Sequence, residues 1–165
     1  MNKLIISERL IIRNFTLQDV PKVYFMSLED GMKEFIPDQV YESEEEAKQV
    51  VDYLMSQYTS DPAPDKAPYV LGIELKESNE LIGHVGLSPF DNIIEIGYAI
   101  EDKYQGKGFA TEAVKAMSEW SLKELQLSSI SGIVDKNNTG SIKVLEKAGY
   151  VFQEEIKNKL RYEFK

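Results

Sequence analysis

The sequence contains no cysteine, and this absence excludes disulfide bonds, thiolate metal ligands and a cysteine nucleophile. Acyl transfer through a thioester on the enzyme is therefore excluded as well. No metal site is predicted. Catalysis has to rely on carboxylates, hydroxyl groups, backbone groups and the single histidine of the chain.

Long hydrophobic runs are also missing from the chain. The apolar residues Leu4, Ile5 and Ile6 are followed at once by Ser7 and Glu8, so this run is too short for the core of a signal peptide. No later run approaches the length of a membrane span. We therefore expect a cytoplasmic protein that has no membrane partner.

Positive charge is scarce, because 19 lysines and arginines stand against 28 aspartates and glutamates, which gives a net charge of −9. Such a surface repels the phosphates of nucleic acid, so no nucleic-acid partner is expected. The same balance weakly favours cationic substrates such as amines.

Length and hydrophobic content indicate one domain that spans residues 1–165, since 42% of the 165 residues are apolar. Apolar periodicity, helix-capping signals and turn residues predict an α/β fold. The predicted strands are 4–14, 69–75, 81–88, 93–100, 129–134, 150–156 and 160–164, and the predicted helices are 16–29, 43–58, 109–125 and 139–148.

A glycine-rich turn lies between the predicted strand 93–100 and the predicted helix that begins near Phe109. A turn at the start of a helix presents unpaired N–H groups to one point, where the helix dipole also favours negative charge. Glycine permits positive φ and a close approach of a ligand. The turn is thus a candidate phosphate site. Lys107 followed by Gly108 does not fit a Walker A loop, and Thr111 stands where the dinucleotide fingerprint needs glycine or alanine.

Three ordered blocks of sequence resemble the GNAT acetyltransferase superfamily. Gln105, Gly108 and Ala110 fit the pattern Gln/Arg-x-x-Gly-x-Gly/Ala of its pyrophosphate loop. The stretch from Glu95 to Tyr98 before the loop, and that from Asn138 to Tyr150 after it, are similar to the neighbouring family blocks. The opening segment from Glu8 to Arg13, with Asp19, resembles the branch of ribosomal-protein N-terminal (alanine/serine) acetyltransferases.

This resemblance implies a GNAT fold, with a mixed, mostly antiparallel twisted sheet of six to seven strands flanked by about four helices. It implies acetyl-CoA (coenzyme A) as the cosubstrate. The residues that it assigns to coenzyme A binding come from a splayed strand, the glycine-rich turn and the start of a later helix: Tyr98, Ala99, Ile100, Gln105, Gly106, Lys107, Gly108, Phe109, Ala110, Thr111, Asn138, Ser141 and Lys143.

Glu95 is the candidate general base. The period of two along its strand places it on one face with Gly97 and Ala99, so its carboxylate would stand beside open space. Such a carboxylate could remove a proton from an attacking ammonium, directly or through a water. The resemblance implies this role, and the competing interpretation is a solvated strand glutamate.

The proton donor for the departing thiolate is less well defined. Many family members have a tyrosine seven residues after the helix-capping asparagine, but Leu145 occupies that position here. The resemblance implies Ser141 as a proton donor, while an ordinary first-turn serine is an equally good interpretation. Tyr98, Tyr150 and Tyr162 are the alternatives.

His84 is the only histidine of the chain. Pairing of two strands across a turn at residues 89–92 predicts that it lies near Gly97, on the same face as Glu95. It would then relay a proton or contact the substrate. A structural or surface role is the competing interpretation.

The sequence therefore predicts transfer of acetyl from acetyl-CoA to a primary amine by direct attack in a ternary complex. The acceptor is a protein N-terminus or a small-molecule amine such as a polyamine, an amino acid or an antibiotic. The alternatives are a catalytically silent acyl-CoA-binding module and an enzyme that binds another nucleotide. The oligomeric state is predicted as monomer or homodimer.

Overall fold

A computed structural model describes residues 4–165. Its centre is an eight-stranded sheet with the order β1-β2-β3-β4-β5-β6-β8-β7. All neighbouring strands are antiparallel except β5 and β6, which are parallel. The strands are β1 (Ile5–Ile6), β2 (Leu10–Arg13), β3 (Tyr69–Leu75), β4 (Glu80–Phe90), β5 (Ile93–Ile100), β6 (Ile130–Asp135), β7 (Val151–Ile156) and β8 (Lys159–Phe164).

Five α-helices flank the sheet: α1 (Val20–Ser27), α2 (Asp30–Phe35), α3 (Glu44–Ser56), α4 (Phe109–Glu124) and α5 (Thr139–Lys147). Short 3-10 turns lie at Leu17–Asp19, Pro37–Gln39 and Asp102–Tyr104. Among residues 4–165, no helix is both long and apolar enough to span a membrane. The predicted α/β class is confirmed. The described chain has eight strands and five α-helices, whereas six to seven strands and about four helices were predicted.

The additional strand arises because the segment 4–14, predicted as one strand, is a hairpin of β1 and β2 with Ile5 paired to Ile12. The turn between them is fixed by a distant carboxylate. Glu112 accepts hydrogen bonds from the Ser7 hydroxyl at 2.6 Å and from the Arg9 N–H at 2.7 Å. A contact across about a hundred residues leaves no local signal, so the sequence pattern could not show the turn.

The predicted helix starts are confirmed by their caps. The Ser43 hydroxyl accepts the Glu46 N–H at 3.1 Å, and the Asn138 side-chain oxygen accepts the Ser141 N–H at 3.1 Å. Each cap satisfies an N–H group that the helix itself leaves unpaired, which contributes about 1 kcal/mol. The α2 helix was not predicted, because it is short and has no buried residue of its own.

Two apolar clusters cover opposite faces of the sheet. The α4 residues Phe109, Ala113 and Met117 pack with alternate residues of β3, β4 and β5, as the helical spacing predicted. On the other face, Met26 of α1 and Val51 of α3 form a second buried cluster. The residues of β5 that alternate away from α4, Glu95 among them, therefore face the layer of α1, α2 and α3.

The predicted register of the β4–β5 hairpin was wrong by two residues. The strands extend to Phe90 and Ile93, so the turn contains only Asp91 and Asn92, and His84 pairs with Ala99 rather than Gly97. A proline at residue 89 suggested an earlier end of the strand, but proline is tolerated near the end of a strand. The predicted face was right, because directly paired residues point to the same side.

Candidate functional site

The parallel strands β5 and β6 separate soon after they meet. In the described chain their register consists of one pair, Glu95 with Ser131. Beyond it a cleft of about 830 Å³ opens between the two strands and the starts of α4 and α5. We call it the β5–β6 cleft. Tyr98, Ala99 and Ile100, predicted from the resemblance to lie on a splayed strand, line this cleft.

The separation exposes one edge of the β5 backbone. The Glu101 N–H donates to the Ile82 carbonyl at 2.8 Å, so the alternation of an antiparallel pair turns Ala99 toward β4 and turns Tyr98 and Ile100 toward the cleft. The Ile100 carbonyl already accepts the Gln105 side-chain amide at 2.9 Å. The N–H groups of Tyr98 and Ile100 thus point toward the cleft, where an extended ligand could pair with them.

The glycine-rich turn forms the rim of the cleft at the start of α4. Gly106 has a φ of 75°, and Gly108 has a φ of 82° and caps the helix. Both lie in the left-handed region that glycine adopts most easily. A Cβ at Gly106 would have no neighbour within 4 Å, so open space lies in front of the turn. The N–H groups at this helix start can therefore receive an anion.

Arg9 holds this turn from behind, and the sequence patterns gave it no such role. Its Nη1 donates to the Lys107 carbonyl at 2.9 Å, and its Nε donates to Glu112 at 2.7 Å. Its guanidinium also lies 4.3 Å from the centre of the Phe109 ring. The Lys107 carbonyl is thus already hydrogen-bonded to Arg9. Arg9 belonged to the opening block of family resemblance, but only the fold brings it to Lys107 and Glu112.

The start of α5 forms the opposite wall of the cleft. Asn138, Ser141 and Lys143, which the resemblance assigns to coenzyme A binding, all line it. The Asn138 side chain is used as the helix cap, and the Ser141 carbonyl accepts the Tyr98 hydroxyl at 3.4 Å. Lys107 and Lys143 are exposed near the cleft, whereas the nearby Lys103 pairs with Glu80 at 3.1 Å.

Glu95 lies half-buried at the narrow end of the cleft, where β5 and β6 are still paired. Burial raises the pKa of its carboxyl, and the positive charge of Lys159 opposes this shift. A raised pKa makes a carboxylate a better proton acceptor. Gly97, two residues on, is exposed and would find no neighbour for a Cβ within 4 Å, so the expected open space beside Glu95 is present.

The structure narrows the candidates for a proton donor. Leu145 is 2% exposed and belongs to the core. Tyr150 shares a hydrogen bond of 2.6 Å with Ser118 in the interior, and the Tyr162 hydroxyl donates to Glu146 at 3.4 Å. Tyr98 and Ser141 both line the cleft, and burial raises the pKa of Tyr98 to about 12, which keeps its hydroxyl protonated.

A second, smaller cavity of about 280 Å³ lies between the helical layer α1–α3 and the β4–β5 face. We call it the α1–α3 cavity. His84 lines it, and the imidazole makes no hydrogen bond within residues 4–165. Burial lowers the pKa of His84 to about 4, so the imidazole is neutral. The cavity and the cleft share six lining residues, namely Glu29, Met32, Gln39, Ser88, Ala99 and Ile100.

Comparison with known proteins agrees with this geometry. The family model of the acetyltransferase (GNAT) domain matches residues 9–151. The uncharacterized N-acetyltransferase YnaD of Bacillus subtilis (strain 168) is 32% identical over 147 residues, which are 88% of this chain and 81% of that protein. An acetyltransferase (GNAT family) from Bacillus anthracis superposes with a TM-score of 0.82 at 26% identity, covering 98% of both chains.

RimL, a ribosomal L7/L12 α-N-protein acetyltransferase solved in complex with coenzyme A, shares the fold with a TM-score of 0.79 at 16% identity, over 98% of this chain and 97% of that chain. The exposed β5 edge and the open glycine turn fit the extended arm and the phosphates of that cosubstrate. The chain therefore belongs to the GNAT acetyltransferase family and is an acetyl-CoA-dependent acetyltransferase.

Proposed function

We propose that the protein acetylates a primary amine by direct attack of that amine within a ternary complex. The supporting observation is the junction of the β5–β6 cleft and the α1–α3 cavity along Ser88, Ala99 and Ile100. Two substrates can approach this junction from different sides of one strand, so no covalent enzyme intermediate is needed. Acetyl-CoA supplies an acetyl group activated as a thioester.

Coenzyme A binding is assigned to backbone groups and to a few side chains of the cleft. The N–H groups at Gly106, Gly108, Phe109, Ala110 and Thr111 surround the start of α4 and would receive the pyrophosphate. Tyr98 and Ile100 would pair with the extended arm through their free edge. Asn138 and Ser141 at the start of α5, with Lys107 and Lys143 as point charges, complete the proposed site.

Glu95 is proposed to accept the proton that the ammonium form of the acceptor loses before attack. Its support is its half-buried place in the cleft and the raised pKa of its carboxyl. The Tyr98 or Ile100 N–H would donate a hydrogen bond to the carbonyl oxygen that gains negative charge. Ser141 or Tyr98 would donate a proton to the departing sulfur.

A catalytically silent acyl-CoA-binding module is the second candidate, and the apolar Leu145 at the usual tyrosine position favours it. Release of free thiol from acetyl-CoA, measured across a panel of amines and peptides with mass spectrometry of the products, separates the two. We expect thiol release in step with an acetylated amine. Binding of coenzyme A without turnover on any acceptor would support the module instead.

We further propose one GNAT domain over residues 1–165, a cytoplasmic location, no nucleic-acid or membrane partner, and a monomer or homodimer. The edge strand β7 exposes Val151, Phe152 and Ile156, which supports it as the edge that a second copy would cover. Sedimentation at several protein concentrations tests the oligomeric state.

A further inference from the structure

The lining of the α1–α3 cavity is mostly apolar. Its apolar side chains come from α1, α3, β3 and the segment that follows β2: Val23, Met26, Val50, Leu54, Val70 and Phe15. A volume of about 280 Å³ lies at the lower end of the pockets that hold small molecules, which span about 300–1,000 Å³. The cavity therefore suits a small, largely apolar body.

The charged side chains that line the cavity are all acidic among the described residues. Among the described residues, its lining contains Glu29, Asp38 and Glu101 but no lysine or arginine. Glu101 is 4% exposed and already has a cation, because the Lys22 ammonium lies 2.7 Å from its Oε2. Within residues 4–165, neither Glu29 nor Asp38 has a cation within ion-pair distance. Two carboxylates thus remain for a positive ligand.

Glu29 stands where the cavity and the cleft meet, because it lines both. Both of its carboxylate oxygens lie 3.2 Å from the Asp102 N–H, which fixes the side chain in place. Burial raises the pKa of Glu29, and this effect outweighs the hydrogen bond from the Asp102 N–H and the more distant positive charge of Lys22. A ligand ammonium beside Glu29 would have little water around it and would lie where the cavity meets the cleft.

We propose that the acceptor is a small primary amine on an uncharged, largely apolar body without a carboxylate, held in the α1–α3 cavity with its ammonium beside Glu29. This inference rests on the proposed acetyltransferase function. A free amino acid would place its α-carboxylate among acidic groups with no cation to receive it, which is strongly unfavourable. The neutral imidazole of His84, without a hydrogen-bond partner in the described chain, can contact a polar group of the body.

Three matched acceptors test the proposal: 2-phenylethylamine, phenylalanine amide and phenylalanine share one ring and one amine and differ in the group beside the amine. We expect kcat/KM to be highest for 2-phenylethylamine and at least about 100-fold lower for phenylalanine, because a buried carboxylate without a partner costs several kcal/mol. Turnover that favours phenylalanine, or that occurs only on a peptide N-terminus, would overturn the proposal.

The Glu29→Gln variant tests the placement of the ammonium. It retains a hydrogen-bond acceptor for the Asp102 N–H but loses the charge, so we expect KM for 2-phenylethylamine to rise about tenfold while KM for acetyl-CoA stays unchanged. The matched control is Glu77→Gln, the same change at an exposed turn between β3 and β4. An unchanged KM for the amine in Glu29→Gln would contradict the assignment.

Binding measurements separate this inference from the proposed function. Calorimetry of 2-phenylethylamine with the protein saturated with coenzyme A, which has no acetyl group to transfer, needs no turnover. Saturable binding that Glu29→Gln weakens supports the site even if the protein proves silent, whereas no binding refutes it. A Val50→Phe variant, which fills the cavity away from the charges, should weaken 2-phenylethylamine more than ethylamine, and equal effects would also refute it.

Discussion

The β5–β6 cleft is lined mainly by strand β5, the glycine-rich turn and the start of α5, whereas the α1–α3 cavity collects side chains from α1, α2, α3 and three strands. The cleft offers backbone N–H groups at a strand edge and a helix start, and residues 105–108 at its rim are exposed. The cavity is lined mostly by apolar side chains. Backbone recognition depends on glycine and turn geometry, which local sequence encodes, while side-chain recognition depends on which distant segments meet.

Glu95 lines the cleft and pairs with Ser88, a residue that both regions share, and Glu95→Gln should have the largest effect. We expect kcat to fall by a factor of about 10²–10⁴, the usual contribution of a positioned base, with KM for acetyl-CoA unchanged. Because burial raises the pKa of this carboxyl, kcat should increase with pH as the group loses its proton above its ordinary range, and the variant should lose that limb.

The measurement is the pH profile of kcat at saturating substrates, with Glu77→Gln as the exposed control. A Glu95→Gln variant that retains full kcat would remove Glu95 as the base. The division of the molecule into a binding cleft and an acceptor cavity would survive that result, but the junction would lack its assigned chemistry.

His84 tests whether water enters the α1–α3 cavity. Burial lowers its pKa to about 4, whereas the unfolded chain gives histidine a pKa of about 6.5. Between these values the unfolded chain binds a proton that the folded chain does not, so the free energy of unfolding falls as the pH decreases from about 6.5 to about 4.

Urea unfolding of the wild type and of His84→Gln at about pH 7.5 and about pH 4.5 measures the contribution of His84 to this pH dependence. We expect acidification to lower the free energy of unfolding of the variant by roughly 2–3 kcal/mol less than that of the wild type. His84 is the only histidine of the sequence, so no other imidazole contributes to the difference. Equal losses in the two proteins would mean that water reaches the imidazole and that the cavity is open.

Gly108 tests whether the backbone of the glycine-rich turn binds the cosubstrate. Its φ of 82° and a Cβ position 3.4 Å from Arg9 Nη2 leave little room for a side chain. Because a left-handed conformation costs a non-glycine residue about 1–2 kcal/mol, Gly108→Ala should raise KM for acetyl-CoA about tenfold and leave KM for the amine unchanged.

The control for Gly108→Ala is Asn79→Ala, which places the same substitution at a φ of 57° in the β3–β4 turn, away from both regions. It should lower stability without a change in either KM. If Gly108→Ala affected only the KM of the amine, the assignment of the glycine turn to coenzyme A would be wrong.

Much of the fold could be predicted because its signals are local. The strand Ile93–Ile100 and the caps at Ser43 and Asn138 follow from alternation and from side chains that reach the next turn of the helix. The hairpin of β1 and β2 could not, because Glu112 fixes its turn from α4. The predicted pairing of His84 was wrong for a related reason. The ends of the paired strands determine where the turn lies, and those ends are set by the pairing itself.

The candidate site divides in the same way. The glycine turn and Glu95 have positions that the chain itself specifies, so sequence patterns pointed to them. Arg9 behind the turn and Glu29 beside the cavity gave no such signal, because each acts on a segment far from it in the chain. Leu145 also gained meaning only in the fold, where its side chain belongs to the core, while the candidate donors Ser141 and Tyr98 line the cleft.

By itself, the sequence determined that a glycine-rich turn and a helix start follow an alternating strand, because glycine, capping residues and strand periodicity act over a few residues. It also excluded cysteine chemistry outright. Only the tertiary structure decided which groups surround the α1–α3 cavity. The charge and polarity of a cavity depend on side chains that separate segments bring together, and packing of α1–α3 on the β4–β5 face selects them.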